Sequence, residues 1–189
     1  MRATIAHESV PKAGEFENGD AVVVRSDRDD RVMFAVVDGL GHGHAAAKAS
    51  AAATSFLNGA ALGQPLELLM NGLHDALRGT RGAAGTVCVL QSDTLATCAV
   101  GNVQLKCANA DVPLVLSAGV LGLRVNKYRV CEARMEPGAR IVLYSDGISS
   151  RFTLDDCRHL APSQACKMML ERLRKREDDA TILIADMEG

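Results

Sequence analysis

The segment MFAVVDGLGHGHAAAKAS, residues 33–50, joins an apolar run, an acid followed by glycines, and an alanine-rich stretch. The apolar run at 32–37 is short and rich in β-branched residues, which predicts a buried strand. Helix formers fill 44–57, which predicts an α-helix. Asp38 lies between the two, and the glycine that follows it lets the backbone turn tightly. The segment therefore predicts a strand, a loop that carries an acid, and a helix.

The rest of the chain predicts further strands and helices in blocks. Short apolar runs predict buried strands at 21–24, 87–90, 141–144 and 182–185. Helices are predicted at 66–78, after Pro65, and at 163–176, with Ser163 as the N-cap. Short polar turns within 86–108 predict an antiparallel meander. Because helices come in blocks between groups of strands, we expect an α+β fold of antiparallel sheets with helices packed outside, in one domain spanning 1–189.

Composition and charge limit the kinds of molecule that this protein is expected to bind. The chain has 189 residues with 21 basic and 23 acidic side chains, a net charge of -2, so nucleic acid is not an expected partner. No stretch reaches the roughly 18 apolar residues of a transmembrane helix, and the first residues lack the apolar core of a signal peptide. We therefore expect no membrane partner and a cytoplasmic location. The six cysteines form no CxxC pair and lie mostly among apolar residues, which predicts free, buried thiols.

Two acids mark the ends of the first pair of predicted strands. Asp20 directly precedes the run AVVV, and Asp38 directly follows the run VMFAVV. The polar stretch between these strands reads as a hairpin turn centred near Asp29. Residues at equal distance from such a turn lie opposite each other, so Asp20 and Asp38 should meet at one end of the hairpin.

The second half of the chain repeats this arrangement. Asp146 follows the run IVLY by one residue, and Asp178 and Asp179 come just before the last predicted strand. If those strands are antiparallel neighbours, their acids also share one end of a sheet. Like charges this close repel each other unless they are protonated or bridged by cations. An Asp-Gly pair alone is also a common turn signal, but four acids at four strand ends favour a metal site.

The kind of ligand indicates the kind of metal. Carboxylate and carbonyl oxygens are hard ligands that favour Mg²⁺ or Mn²⁺, whereas zinc sites use thiolate or clustered imidazole. Gly39, which has no side chain, leaves its carbonyl oxygen accessible as a further ligand. The sequence therefore predicts a site for Mg²⁺ or Mn²⁺ at the strand ends.

Four motifs in this order resemble the PPM family of metal-dependent serine/threonine phosphatases, and more narrowly its SpoIIE-like branch. They are NGDA at 18–21, VVDGLGHG at 36–43, YSDGI at 144–148 and DDATILIA at 178–185. The resemblance implies a four-layer αββα sandwich of two antiparallel sheets flanked by helices. It also implies two Mn²⁺ or Mg²⁺ ions at the acids.

The resemblance assigns a role to each acid. Asp38 would bridge the two ions, with the Gly39 carbonyl as a further ligand. Asp20 would lie beside one ion, directly or through water, while Asp146 and Asp178 would bind the other. Asp38 and Asp146 are the residues expected to carry the catalysis. Asp179 and His42 would lie just outside the ligands.

The sequence departs from the family pattern at two positions. Many PPM enzymes have a histidine directly after the first Asp-Gly, as a proposed proton donor, but Leu40 stands there. His42 follows two residues later and either takes that role or is an ordinary loop histidine. The family's Gly-Asp-Ser reads Gly101-Asn102-Val103 here, which removes an acid often tied to a third ion, so two ions are expected.

The resemblance implies hydrolysis of phosphoserine or phosphothreonine by a metal-activated hydroxide. The expected partner is a phosphorylated regulatory protein of bacterial stress signalling, either a stressosome scaffold protein or an anti-anti-sigma factor of the STAS type. The alternative is a catalytically inactive, phosphatase-like binding module that docks on a kinase or STAS regulator. A cysteine phosphatase is disfavoured because no cysteine has the required neighbours, and DGLGHGHAAAK matches neither the dinucleotide nor the P-loop pattern.

Overall fold

Twelve strands and three α-helices make up the computed structural model, which describes residues 1–189. The strands are β1 (Arg2–Val10), β2 (Asp20–Ser26), β3 (Val32–Gly39), β4 (Ala83–Gln91), β5 (Thr94–Val100), β6 (Gln104–Ala108), β7 (Leu116–Ser117), β8 (Gly119–Val120), β9 (Arg124–Val125), β10 (Val130–Arg134), β11 (Arg140–Tyr144) and β12 (Ala180–Glu188). The helices are α1 (His44–Gly59), α2 (Leu66–Ala76) and α3 (Pro162–Leu173), with a short 3₁₀ turn at Leu154–Cys157.

The strands form two main sheets. The first sheet has the order β1-β12-β11-β6, and all its neighbours are antiparallel. The second has the order β10-β5-β4-β3-β2, also antiparallel, with the short β7 pairing parallel to β5. Strands β8 and β9 form a small hairpin, which an isolated bridge from Leu121 to Ala83 ties to the second sheet.

Alternate side chains of β3 show why its sequence is apolar on both faces. Phe34 and Val36 pack between the two sheets, together with Ile141 and Leu143. Met33, Ala35 and Val37 face the other way and pack under α1 and α2. A strand buried on both faces carries a continuous apolar run rather than an alternating one. The same logic applies to β12, which buries Leu183 between the sheets and Ile182 and Ile184 beneath α3.

The layers therefore run α1 and α2, second sheet, first sheet, α3. This confirms the predicted αββα sandwich. All six cysteines are free thiols, four of them buried and two partly buried. None of the helices has the length and apolarity needed to span a membrane.

The elements differ from the sequence-based expectations in several places. The meander at 86–108 breaks after β5, because β6 crosses to the first sheet and pairs with β11. Strand β1 was not predicted, since RATIAHESV has polar residues throughout and is only half-buried at a sheet edge. Helix α3 begins at Pro162 with Ala161 as its N-cap, so Ser163 lies inside the helix.

Helix α3 ends earlier than predicted, because the residues that follow it contact one of the acid-bearing turns. The helix was predicted to run to 176 but stops at Leu173. The next residues bond to the backbone of the Asp146-Gly147 turn instead, with Arg174 bridging Ile148 and the Lys175 N–H donating to the Gly147 carbonyl at 2.8 Å. The basic residues after the helix thus hold one of the acid-bearing turns.

Candidate active site

The β2–β3 hairpin places two acids opposite each other. Asp20 pairs with Asp38 in the antiparallel register, as the equal spacing about Asp29 predicted. The turn is closed by Asp27, whose Oδ1 accepts the N–H groups of Asp29 and Arg31 at 2.9 and 3.0 Å.

The β11–β12 pair brings the remaining acids to the same place. Tyr144 pairs with Ile182, so Asp146, just after β11, and Asp178, just before β12, lie at one end of the first sheet. That end meets the acid end of the hairpin through Ser145, whose hydroxyl donates to Asp20 Oδ2 at 2.7 Å. Ser145 also accepts the Thr181 N–H at 3.0 Å, which fixes the direction of its own hydroxyl proton. Sequence reasoning missed Ser145, although it lies within the YSDGI motif.

The acids surround a cleft of about 220 Å³. The lining residues are Asp38, Leu40, Gly41, His42, Ala84, Asn102, Asp146, Glu177 and Asp178. Asp20 is buried, only 6% exposed, and does not line the cleft. Glu177 is an additional acid that the sequence analysis did not single out.

Asp178 and Asp179 have different positions. Asp179 is buried, and its two oxygens accept the backbone N–H groups of Lys12 at 2.8 Å and Gly19 at 3.0 Å. Both oxygens are therefore occupied in holding the chain that leads into β2. Asp178 lines the cleft, with one oxygen bonded to the N–H of Asp179 at 3.0 Å. Asp178 thus faces the cleft and Asp179 lies behind it; that Asp178 is the direct metal ligand stays a prediction.

The glycine of each Asp-Gly pair is required by close packing. A Cβ on Gly39 would lie 2.3 Å from the Ala46 carbonyl oxygen in α1, and one on Gly147 would lie 1.8 Å from the Asp179 carbonyl oxygen. Neither glycine has a positive φ. The predicted tight turn is therefore not the reason for glycine here; the reason is the close approach of a second backbone segment.

Electrostatics at the site favour a bound cation. Burial, together with the charges of Asp179 and Asp146, raises the pKa of Asp20 to about 7 despite its hydrogen bonds. Burial and the charge of Asp20, followed by those of the cleft acids, raise the pKa of Asp38 to about 8. Asp20 Oδ1 is buried and has no hydrogen-bond partner. A buried anion without a partner is costly unless it is neutralised.

The donor set fits Mg²⁺ or Mn²⁺ better than zinc. No group of three His, Cys, Asp or Glu side chains lies close enough together in this structure to hold a metal ion by itself. The cleft instead offers carboxylates spread around open space, and Mg²⁺ in proteins usually has a few carboxylate ligands and retains several waters. Zinc would require a compact set of nitrogen or sulfur ligands. The residues present thus fit a hydrated, oxygen-bound divalent cation.

Asn102 and His42, which concern the two departures from the family pattern, both line the cleft. Asn102 Nδ2 donates to Asp146 Oδ2 at 2.6 Å, so the amide orients a cleft carboxylate where an acid would repel it. His42 lines the cleft, and both its ring nitrogens are engaged, one by Lys12 Nζ and the other by Glu15 Oε1, each at 2.9 Å. Because an ammonium only donates, the His42 nitrogen beside Lys12 is an acceptor.

Comparison with known proteins identifies the family and supports the fold. The family model described as Stage II sporulation protein E (SpoIIE) matches residues 28–188. The chain is 27% identical to the phosphoserine phosphatase RsbX of Bacillus subtilis (strain 168) over 187 residues, which is 93% of this chain and 90% of RsbX.

Two solved structures share the fold over nearly their whole length. A chain solved in work on "the bacterial stressosome: a modular system that has been adapted to control secondary messenger signaling" superposes with a TM-score of 0.90 at 25% identity, covering 98% of this chain and 100% of that one. The crystal structure of RsbX in complex with magnesium gives a TM-score of 0.83 at 23% identity, with 97% and 94% covered. Since the family model spans most of the sequence, this chain belongs to the SpoIIE family of PPM-type serine/threonine phosphatases.

Proposed function

We propose that this phosphatase dephosphorylates phosphoserine or phosphothreonine on a regulatory protein of bacterial stress signalling, with two Mg²⁺ or Mn²⁺ ions in the acid-lined cleft. The observation that carries the proposal is the pair Asp20 and Asp38. Both carboxyl groups have a raised pKa, and one oxygen of Asp20 is buried without a partner. Divalent cations at this point would remove the repulsion and give that oxygen a ligand to bind.

We assign the binding of the ions to the residues that meet at the strand ends. Asp38 lies between the two groups of acids, since it pairs with Asp20 on one side and lines the cleft with Asp146 and Asp178 on the other. That position suits a carboxylate shared by two ions, with the Gly39 carbonyl as the further ligand. When bound, such ions acidify a water and neutralise charge on the phosphoryl group.

The neighbouring residues would hold this constellation in place. Asn102 and the Lys175 ammonium fix Asp146, the first through its carboxylate and the second through its carbonyl oxygen at 2.5 Å. Asp179 fixes the backbone at Gly19, immediately before Asp20. Ligands held from behind in this way keep their orientation when the ions bind.

The proposed partner is a phosphorylated stressosome scaffold protein or an anti-anti-sigma factor of the STAS type. Similarity to RsbX and to a chain from a stressosome study, over nearly the full length of each, supports this class of substrate. The cleft is open to solvent and lined mainly by polar residues, which suits a phosphorylated side chain presented by a protein more than a buried apolar ligand.

The test is turnover of an aryl phosphate and of a phosphorylated STAS-domain protein with Mn²⁺, with Mg²⁺ and with chelator. We expect metal-dependent hydrolysis that Asp38→Asn abolishes without loss of fold. Asp93→Asn is the matched control, because Asp93 is a surface acid in the β4–β5 turn paired with Arg134. Wild-type activity in Asp38→Asn would contradict the assignment. Binding of the phosphoprotein without hydrolysis under any metal would indicate a binding module instead.

A further inference from the structure

Cationic side chains reach the rim of the cleft from two chain segments and are bonded there to the protein. The Lys12 ammonium lies 2.9 Å from His42 Nε2, and the Lys175 ammonium donates to the Asp146 carbonyl at 2.5 Å. Both therefore serve to hold cleft residues in place. Each of the two ammonium groups has one of its three N–H donors engaged by the protein.

Arg81 is a third cation at this rim, and it differs from the other two. Its guanidinium lies against the backbone of Gly41, a cleft residue, where a Cβ would be 3.1 Å from Nη1 and 3.2 Å from Nη2. Arg81 is exposed. Its side chain forms no ion pair and donates no hydrogen bond to the protein. Its donors are therefore available to a ligand.

The backbone on the C-terminal side of Arg81 is fixed to the same loop. The Gly82 carbonyl accepts the Leu40 N–H at 3.0 Å, and the Gly82 N–H donates to Thr80 Oγ1 at 3.0 Å. Gly41 has a φ of 85° and no side chain, which leaves room for the guanidinium to rest on its backbone. The local structure thus holds the backbone of Arg81 beside the cleft, and the side chain lies over Gly41.

The cleft needs an anion-binding group of this kind. Its walls carry the carboxylates of Asp38, Asp146, Glu177 and Asp178. Two divalent ions would at most balance the charge of these four carboxylates, and the charge of an incoming phosphoryl group would then remain without a partner. Arginine presents several N–H donors in a planar fork that matches phosphate and carboxylate oxygens.

We propose that Arg81 binds an oxyanion of the phosphoprotein substrate, either the phosphoryl group itself or a carboxylate beside the phosphorylated residue. This inference rests on the proposed phosphatase function. It makes Arg81 a determinant of substrate affinity.

The experiment compares Arg81→Gln with the wild type on three substrates. They are an aryl phosphate, a phosphoserine peptide with acidic neighbours, and the same peptide with those neighbours changed to amides. We expect Arg81→Gln to raise KM about five- to tenfold with kcat nearly unchanged, and Arg81→Lys to recover part of the loss. Arg78→Gln is the matched control, since Arg78 is an exposed arginine three residues earlier that pairs with Asp75 at 2.9 Å.

The outcomes separate the two sources of the anion. A higher KM on all three substrates, with weaker inhibition by inorganic phosphate, assigns Arg81 to the phosphoryl group. A higher KM confined to the acidic peptide assigns it to a neighbouring carboxylate. Unchanged KM on all three, in an enzyme that Asp38→Asn inactivates, overturns the role of Arg81 alone. Absence of metal-dependent turnover in the wild type overturns the phosphatase function and this inference together.

Discussion

The buried carboxylate of Asp20 should make the metal-free protein less stable as the pH rises. Asp20 is only 6% exposed, one of its oxygens has no partner, and Ser145 donates to the other. Asp20→Asn keeps the shape and an acceptor for Ser145 but removes the charge. We therefore expect this substitution to stabilise the metal-free protein at alkaline pH, against the usual trend for changes at buried sites.

The direction in which stability changes with pH follows from the pKa of Asp20 in the unfolded and in the folded protein. The pKa of Asp20 is 3.8 as an ordinary carboxyl, the value taken for the unfolded chain, and about 7 in the folded protein. Between these values the folded state binds the proton more strongly, so stability falls as the pH rises through this range. A difference of about three pH units, at about 1.4 kcal/mol each, sets an upper bound of about 4 kcal/mol.

The assay is urea denaturation of chelator-treated wild type and Asp20→Asn from pH 4 to pH 9. Near pH 4 the two proteins should have similar free energies of unfolding. Near pH 8 the variant should be more stable by about 1–4 kcal/mol, because its neighbour Asp38 is also relieved of a like charge. Taking the difference between the two proteins removes the titration of every group that does not interact with Asp20; the titration of Asp38, which does, remains in the difference.

Adding Mg²⁺ or Mn²⁺ should shift the difference in stability toward the wild type. An ion that binds only the folded state adds a stabilisation of about 2.7 kcal/mol at a concentration one hundred times its Kd. The wild type should gain more of this stabilisation than Asp20→Asn, which lacks one carboxylate. The reasoning is refuted if the metal-free variant is less stable than the wild type at pH 8, or if the difference does not grow between pH 4 and pH 8.

Two further predictions concern stability alone. Gly39→Ala should destabilise the protein by about 3 kcal/mol, because its Cβ would lie 2.3 Å from the Ala46 carbonyl oxygen; Gly59→Ala, with open space around it, should stabilise by about 0.5 kcal/mol. Arg140→Ala should cost about 3–5 kcal/mol, since this buried arginine is paired to a carboxylate at 2.6 Å; the exposed Arg134→Ala should cost less than about 1 kcal/mol. Urea denaturation measures both pairs, and equal effects within either pair would contradict the packing described.

Sequence reasoning succeeded where the information is local. The register of the β2–β3 hairpin depends on one turn and on the distances of Asp20 and Asp38 from it, all of which are readable from the sequence. The runs in β3, β11 and β12 are apolar throughout because both faces are buried, so their identity as strands was also clear. These elements place the candidate ligands, which is why the acid constellation was predictable.

Sequence reasoning failed where the position of a residue depends on a partner that is distant in the sequence. Strand β1 is identified only by its pairing with β12, at the other end of the chain. The crossing of β6 to the first sheet is decided by β11, which lies more than thirty residues later. Arg81 was passed over for the same reason, since its contact with Gly41 joins segments forty residues apart.

The division of the acids between two sheets explains why the site lies where it does. Asp20 and Asp38 end strands of the second sheet, whereas Asp146 and Asp178 adjoin strands of the first. Only the packing of one sheet on the other brings the two pairs together, and Ser145 links them by its bond to Asp20. Mutual repulsion of the acids therefore opposes the packing of the sheets, and cations bound between them would favour it. Metal binding and the stability of the sandwich are coupled through this end of the sheets.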